Sequence, residues 1–523
     1  MRGIMIQGTS SDAGKSFLVT ALCRIFADYG LKTCPFKSQN MSNNSYVTFD
    51  GYEMGRAQGV QAEAARQEPN VFMNPILLKP KNDTQSGIVL FGKVYETKEG
   101  KDYYKDFSMD EGMKAVRKSL EYIENNYDVV VIEGAGSPVE MNLNDREIVN
   151  MRIAREADVP VILVTDIDRG GSFGSIVGTL ELLGSDRKRV KGIIFNKFRG
   201  DLSLFDDGVK FIEEYTGVKV LGVLPYLKNI KIETEDSLST NHYYKSCADK
   251  KVTIGVANIP FVSNNTDIEI FRHENDVEIK TIEPSTDISQ FDAVIIPGTK
   301  NTILDMKYLH EKGTAKKIRD FYHSGGYVFG ICGGYQMLGE KISDDIMADS
   351  RTLTQIDGLS LLPVQTYFKS EKTVKRVSGT VIHKALKSYK VSGYEIHLGV
   401  TSQNTNKDFL PFVALEDSVD GLADMNFKAA GTYMHNIFHN DEFRNNWLNL
   451  IRKSKGYPEK AVINTDYLKE EDYDTLAREV SQHLDIEYIM NLVNEKWGNR
   501  NEKVYRRNKT TRSEGDGYSE KIS

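Results

Sequence analysis

Cysteine is scarce here: Cys23, Cys34, Cys247 and Cys332 are the only four in 523 residues, and none forms a C-x-x-C pair. That scarcity excludes a disulfide framework and points to a reducing compartment. Long apolar runs are also missing. Stretches such as "VPVILV" stop well short of the ~20 residues a membrane-crossing helix needs. The opening "MRGIMIQGTS" lacks the apolar centre of a secretory signal. A soluble cytoplasmic protein with no membrane role is expected. There is no surplus of positive charge, since 67 Lys and Arg face 74 Asp and Glu for a formal charge of −7. That balance argues against a nucleic-acid partner. No internal repeat is visible, which removes solenoid architectures.

What remains is an ordinary globular composition, 40% apolar and 27% charged, on a chain long enough for two or three domains. The first half alternates short apolar runs with helical patterns. "GIMIQ", "KTCPFK", "DVVVIEG", "VPVILVTD", "KGIIFNK" and "KVLGVLP" read as strands. The segment "SFLVTALCRIFADYG" puts Phe17, Leu18, Ala21, Leu22, Ile25 and Phe26 on one helical face. Continuous apolar strands separated by helices indicate a parallel sheet covered on both faces. Residues 236–250 are polar and aperiodic, and read as a linker. "VTIGVANIP", "DAVIIPG", "GGYVFGICGG" and "AAGTYMH" then form a second alternating block. The expected domains are 1–240, 251–450 and a helical extension 451–523, whose last stretch, 499–523, is poor in apolar residues and expected to be disordered.

Two motifs carry chemistry. "GTSSDAGKS", residues 8–16, lies between a strand and an amphipathic helix. It is a phosphate loop with one extra residue between its glycines: backbone N–H groups of Gly8, Thr9, Asp12, Ala13 and Gly14 can wrap phosphate oxygens, and Lys15 adds charge. The Ser16 hydroxyl can ligate Mg²⁺, with Glu133 at a strand end and Asp50 as candidate carboxylates. Asn196, in "FNKFRGD", is a candidate to read a purine base, a plain loop being the other reading. Lys37, Gln39 and Asn40 fall in an amide-rich stretch, "PFKSQNMSNNS", that suits a polar ligand. In the second half, "GGYVFGICGGYQMLGE" runs a strand straight into Cys332, two glycines and a helix. Such an elbow exposes a nucleophile at a helix N-terminus and aims backbone N–H groups at an oxyanion. Gly333 is one candidate donor and Gly298, in "PGTKNT", another, unless that segment is only a turn. His435 is the expected base, with His439 as its rival.

These motifs resemble known proteins. The long phosphate loop is similar to that of dethiobiotin synthetase and its relatives, and "GICGGYQMLG" with "GTYMHNIF" resembles class I glutamine amidotransferases. Together with "MNPILLKP", "IEGAGSPVEMNL", "VTDIDRGGSFGS" and "GYEIHLG", they resemble the cobyric acid synthase family of corrinoid amidases over roughly residues 1–450. The resemblance implies two three-layer α/β/α domains with largely parallel sheets, plus the helical C-terminal region. It implies ATP and Mg²⁺ as cofactors, L-glutamine as nitrogen donor, and a cobalt corrinoid, adenosylcobyrinic acid a,c-diamide, amidated at its b, d, e and g carboxylates. Cobyrinic acid a,c-diamide synthases are the neighbouring alternative. A partitioning-type ATPase would carry a second lysine early in the loop, and Gly8-Thr9-Ser10 has none. Class I amidotransferases usually place a glutamate two residues after the histidine, where Ile437 stands here. Either a Cys–His pair acts alone or the acid comes from elsewhere, Glu395 being one candidate.

Overall fold

A computed structural model describes residues 1–494 except 81–84, 143–144, 228–229, 231, 233–243, 248, 351–352 and 404–406. Most of the expected linker and all of the expected disordered tail lie outside the described residues.

In the N-terminal half, six parallel strands lie in the order Val220–Pro225, Val190–Phe198, Val161–Asp166, Gly3–Gly8, Val129–Glu133, Thr33–Phe36. Alternate side chains of each strand enter opposite faces, as a strand's period of two requires. Met5, Val130 and Ile132 pack into one core, while Ile4, Ile6, Val129 and Val131 pack into another. Both faces are buried, which is why these strands are apolar throughout. Gly3–Gly8 is central, so its C-terminal end opens between the ends of Val129–Glu133 and Val161–Asp166. Ligands collect at such a place in a parallel sheet. A smaller sheet of Gln39–Met41, Ile76–Pro80, Gln85–Leu90 and Lys93–Glu99, and a short hairpin of Ser45–Val47 with Glu53–Gly55, stand beside it.

The second half holds a 12-stranded sheet whose parallel centre runs Val277–Ile282, Val252–Ala257, Ala293–Ile296, Tyr327–Ile331, Ala429–Thr432. Beyond Ala429–Thr432 the sheet continues antiparallel through Val419–Asp424, Phe409–Leu415 and the long pair Val364–Val381 and Lys390–Gln403. At the other edge Tyr244–Lys245 pairs antiparallel with Val277–Ile282, so part of the expected linker is a strand. The described part of the expected extension, 451–494, is helical, in the end of Asp441–Ser454 and in Thr465–His483 and Ile486–Asn494. Its last two helices return to the N-terminal half, where Leu476, Val480 and Ile489 join the core beneath the phosphate-loop helix Lys15–Asp28. Among the described residues, no helix is long and apolar enough to cross a membrane.

Candidate active sites

The phosphate loop leaves the central strand at Gly8 and enters the helix at Lys15. Thr9 N donates to Val164 O at 2.9 Å, which ties the start of the loop to the neighbouring strand. Gly14 has φ +97°, a left-handed conformation that favours glycine, and a Cβ there would meet Asn196 Nδ2 at 2.0 Å. Lys15 is 7% exposed and donates to Ser10 O and Gly136 O at 3.1 and 3.2 Å. Its ammonium is thereby folded over the loop.

Glu133 is fully buried and gathers the polar groups. Its Oε1 accepts from Ser16 Oγ at 2.8 Å and Lys37 Nζ at 2.9 Å, and its Oε2 from Gln61 Nε2 at 2.6 Å. A hydroxyl and a carboxylate side by side are the hard oxygen donors Mg²⁺ takes beside phosphate and water, so Ser16 and Glu133 fit that ion. Asp50 does not join them. It is exposed on the turn after Ser45–Val47 and, among the described residues, accepts from Thr48 Oγ1, apart from the Ser16–Glu133 cluster. Lys37 belongs to the Glu133 cluster. Gln39 and Asn40 are buried, accepting from Tyr103 OH and donating to Gln58 Oε1 respectively. Asn196 braces the loop by donating to Ala13 O at 2.9 Å. Sequence reading missed Gln61, and also Asp166, whose carboxylate at the next strand end accepts from Lys197 Nζ at 2.9 Å.

At the other site Cys332 separates Tyr327–Ile331 from the helix Gly333–Leu338 with φ 52° and ψ −108°, an elbow that L-residues rarely adopt. Cys332 N donates to Thr432 O at 2.8 Å, so the strand Ala429–Thr432, which leads to the histidine, also holds the elbow. A Cβ on Gly333 would meet Thr299 Cγ2 at 2.4 Å, and one on Gly298 would meet His435 Cε1 at 2.8 Å. Both glycines are therefore required by close approach, and the 297–302 segment packs directly on the elbow.

His435 is 1% exposed and pairs through Nδ1 with Asp267 Oδ2 at 2.7 Å. Asp267 is equally buried, and its Oδ1 accepts from Asn436 N at 2.6 Å. Burial alone would lower the imidazole's pKa, but the Asp267 charge and the Cys332 thiol outweigh it and raise it to about 10. His439 instead places Nε2 against Thr266 O at 2.9 Å. Glu395 pairs with His397 and Lys375, each at 3.2 Å, and is not the third member. Asp267 is. It lies 168 residues before the histidine, and no spacing in the sequence announces it.

The two halves meet along the amide-rich segment. Ser45 N donates to Asn264 Oδ1 at 3.1 Å, Asn265 N to Asn44 Oδ1 at 2.9 Å, and Arg376 Nε to Val47 O at 2.9 Å. The stretch expected to face a ligand therefore also forms the seam, and Asn264 reaches on to His435 Nε2 at 3.4 Å.

Fold and sites together define a two-site class, a nucleotide-binding half fused to a glutamine amidotransferase half. Residues 4–239 match the CobQ/CobB/MinD/ParA nucleotide binding domain and residues 253–443 the CobB/CobQ-like glutamine amidotransferase domain. The cobyric acid synthase of Anoxybacillus flavithermus is 48% identical over 490 residues, 93% of this chain and 96% of that protein. That of Clostridium acetobutylicum is 43% identical over 500 residues, 94% of this chain and 99% of that protein. The chain belongs to the cobyric acid synthase family, amidating ligases with a glutamine amidotransferase domain.

Proposed function

We propose that this protein amidates the b, d, e and g carboxylates of adenosylcobyrinic acid a,c-diamide, using glutamine for nitrogen and ATP to activate each acid. The observation that carries the reading is the coexistence of two unlike constellations in one chain. Cys332, His435 and Asp267 suit amide cleavage, while Lys15, Ser16 and Glu133 suit phosphoryl transfer. A plain glutaminase needs only the first and an ATPase switch only the second.

Cys332 Sγ attacks the glutamine amide carbon while His435 holds the thiol proton, and Asp267 keeps the imidazole oriented and charged. N–H groups at Gly333 and the Gly298 segment stabilise the oxyanion. The C–N bond then breaks, His435 returns the proton to the departing nitrogen, and ammonia leaves a thioester that water hydrolyses to glutamate. At the other site a substrate carboxylate oxygen attacks the γ-phosphorus of ATP, releasing ADP and leaving an acyl phosphate. Lys15 and the loop amides offset charge on the transferring group. Mg²⁺ held by Ser16 and Glu133 supplies further charge neutralisation when bound. Ammonia then attacks the acyl carbon, and phosphate departs.

The test is purified protein with glutamine, Mg·ATP and cobyrinic acid a,c-diamide, followed by mass spectrometry. Conversion to cobyric acid that needs both glutamine and ATP is expected. Conversion of cobyrinic acid to its a,c-diamide instead would reassign the target carboxylates, and no conversion of either would end the proposal.

A further inference from the structure

The long antiparallel pair Val364–Val381 and Lys390–Gln403 loses register between Phe368 and Thr373. Such a break bends a strand and re-aims its side chains. Lys372 lies inside it and crosses to the N-terminal half, donating to Glu53 Oε2 at 2.9 Å. Glu53 is 1% exposed, pairs also with Lys79, and accepts from Ser45 Oγ at 2.7 Å. Lys372 keeps 23% of its side-chain surface, yet burial pushes its pKa down to about 8, and it is near enough to Cys332 for the thiol's charge to oppose that shift. The partner strand contributes Ile396 O, which accepts from Cys332 Sγ at 3.6 Å.

From Glu53 the contacts continue inward. The strand Glu53–Gly55 runs without a break into the helix Arg56–Ala64, whose Gln61 donates to Glu133 Oε2 at 2.6 Å. Glu133 accepts from Ser16 of the phosphate loop in turn. A continuous series of elements therefore joins the sulfur to the loop carboxylate. Among the described residues the Lys372–Glu53 bond crosses directly from the long hairpin to the helix-bearing strand, while Arg376 and Tyr394 reach the neighbouring strand Ser45–Val47. An ion pair that has been largely removed from water tolerates few geometries, because separating it leaves desolvated charge behind. That makes it suited to carry a change at one site to the other.

We propose that Lys372 and Glu53 are positioning residues that couple the two chemistries, so that glutamine is cleaved in step with acid activation. The inference rests on the two-site reading above. Coupling of this kind is a free energy shared between sites, and removing the shared element uncouples them without destroying either. Lys372→Met is the probe, because Glu53 retains Lys79 and no carboxylate is stranded. Glutamate and amide are measured in the same reaction, and amidation is measured separately with ammonium chloride in place of glutamine.

In the unaltered protein glutamate and amide should form in equal amounts. In Lys372→Met glutamate should exceed amide several-fold, while ammonium-supported amidation stays unchanged. Equal amounts in the variant would overturn the coupling role. A parallel fall in ammonium-supported amidation would overturn it too, since Lys372 would then only hold the fold. Absence of glutamine-dependent amide from the unaltered protein would instead sink the two-site reading.

Discussion

A buried imidazole with no charged neighbour stays neutral, because burial penalises its cation. His435 behaves in the opposite way, with burial overcome by Asp267 and the thiol and its pKa held at about 10. The sign of the linked stability follows. A folded-state pKa above the ordinary 6.5 contributes stabilisation that is complete below about pH 6.5 and is lost as the pH rises toward 10. Asp267→Asn removes the compensating charge and favours the wrong imidazole tautomer. Glutamine hydrolysis should fall on the order of 10²–10⁴-fold, as when an orienting carboxylate is lost beside a catalytic histidine. Ammonium-supported amidation should persist. Urea unfolding should show a larger stability gap between the two proteins at pH 7 than at pH 10. A gap independent of pH would mean that Asp267 acts only through its bond to Asn436 N.

The elbow at Cys332 concerns an element, since its φ of 52° and ψ of −108° serve to turn a strand into a helix within one residue. Backbone strain of this sort costs about 1–3 kcal/mol and is tolerated where function needs it. Both Cys332→Ala and Cys332→Gly should abolish glutamine use, but only glycine relieves the turn. The glycine variant should therefore unfold about 1 kcal/mol later than the alanine one by chemical denaturation, even after its greater unfolded-chain entropy is counted. Equal stabilities would show that the elbow carries no strain. This element was readable in advance, because a buried strand followed by Cys-Gly-Gly allows few other geometries. The parallel strands were readable for the same reason, each being apolar on both faces. The antiparallel half of the second sheet was not. Its longest strand, "VQTYFKSEKTVKRVSGTV", is mostly polar and only sparsely buried, so no sustained apolar alternation or apolar run marks it. Asp267 was hidden because only tertiary folding brings it to the histidine. Glu395 is set apart by strand alternation in the fold: Tyr394 stacks on His435 with ring centroids 5.2 Å apart, so its neighbour faces away and meets His397.

At the scale of the whole molecule, the helices Thr465–His483 and Ile486–Asn494 return to close the N-terminal half. Arg24, on the phosphate-loop helix and 1% exposed, reaches Glu470 at 2.6 Å and Asp474 at 2.7 Å on Thr465–His483. Both acids are about half exposed, at 51% and 54%. The pair is therefore asymmetric, and the two ways of breaking it should differ. Replacing Arg24 with methionine keeps most of the buried volume and leaves two carboxylates free to hydrate, so the loss should stay within about 1 kcal/mol. Replacing both acids together, Glu470→Gln with Asp474→Asn, leaves a guanidinium buried with weakened compensation from Asp28 at 3.9 Å. That loss should be larger, about 2–4 kcal/mol. Because the same helix presents Lys15 and Ser16, the double variant should also weaken ATP binding measured by calorimetry, whereas Arg24→Met should leave it nearly intact. If Arg24→Met proves the more damaging, the guanidinium's bond to Ala64 O matters more than its charge, and the C-terminal helix is held mainly by Leu476, Val480 and their apolar neighbours.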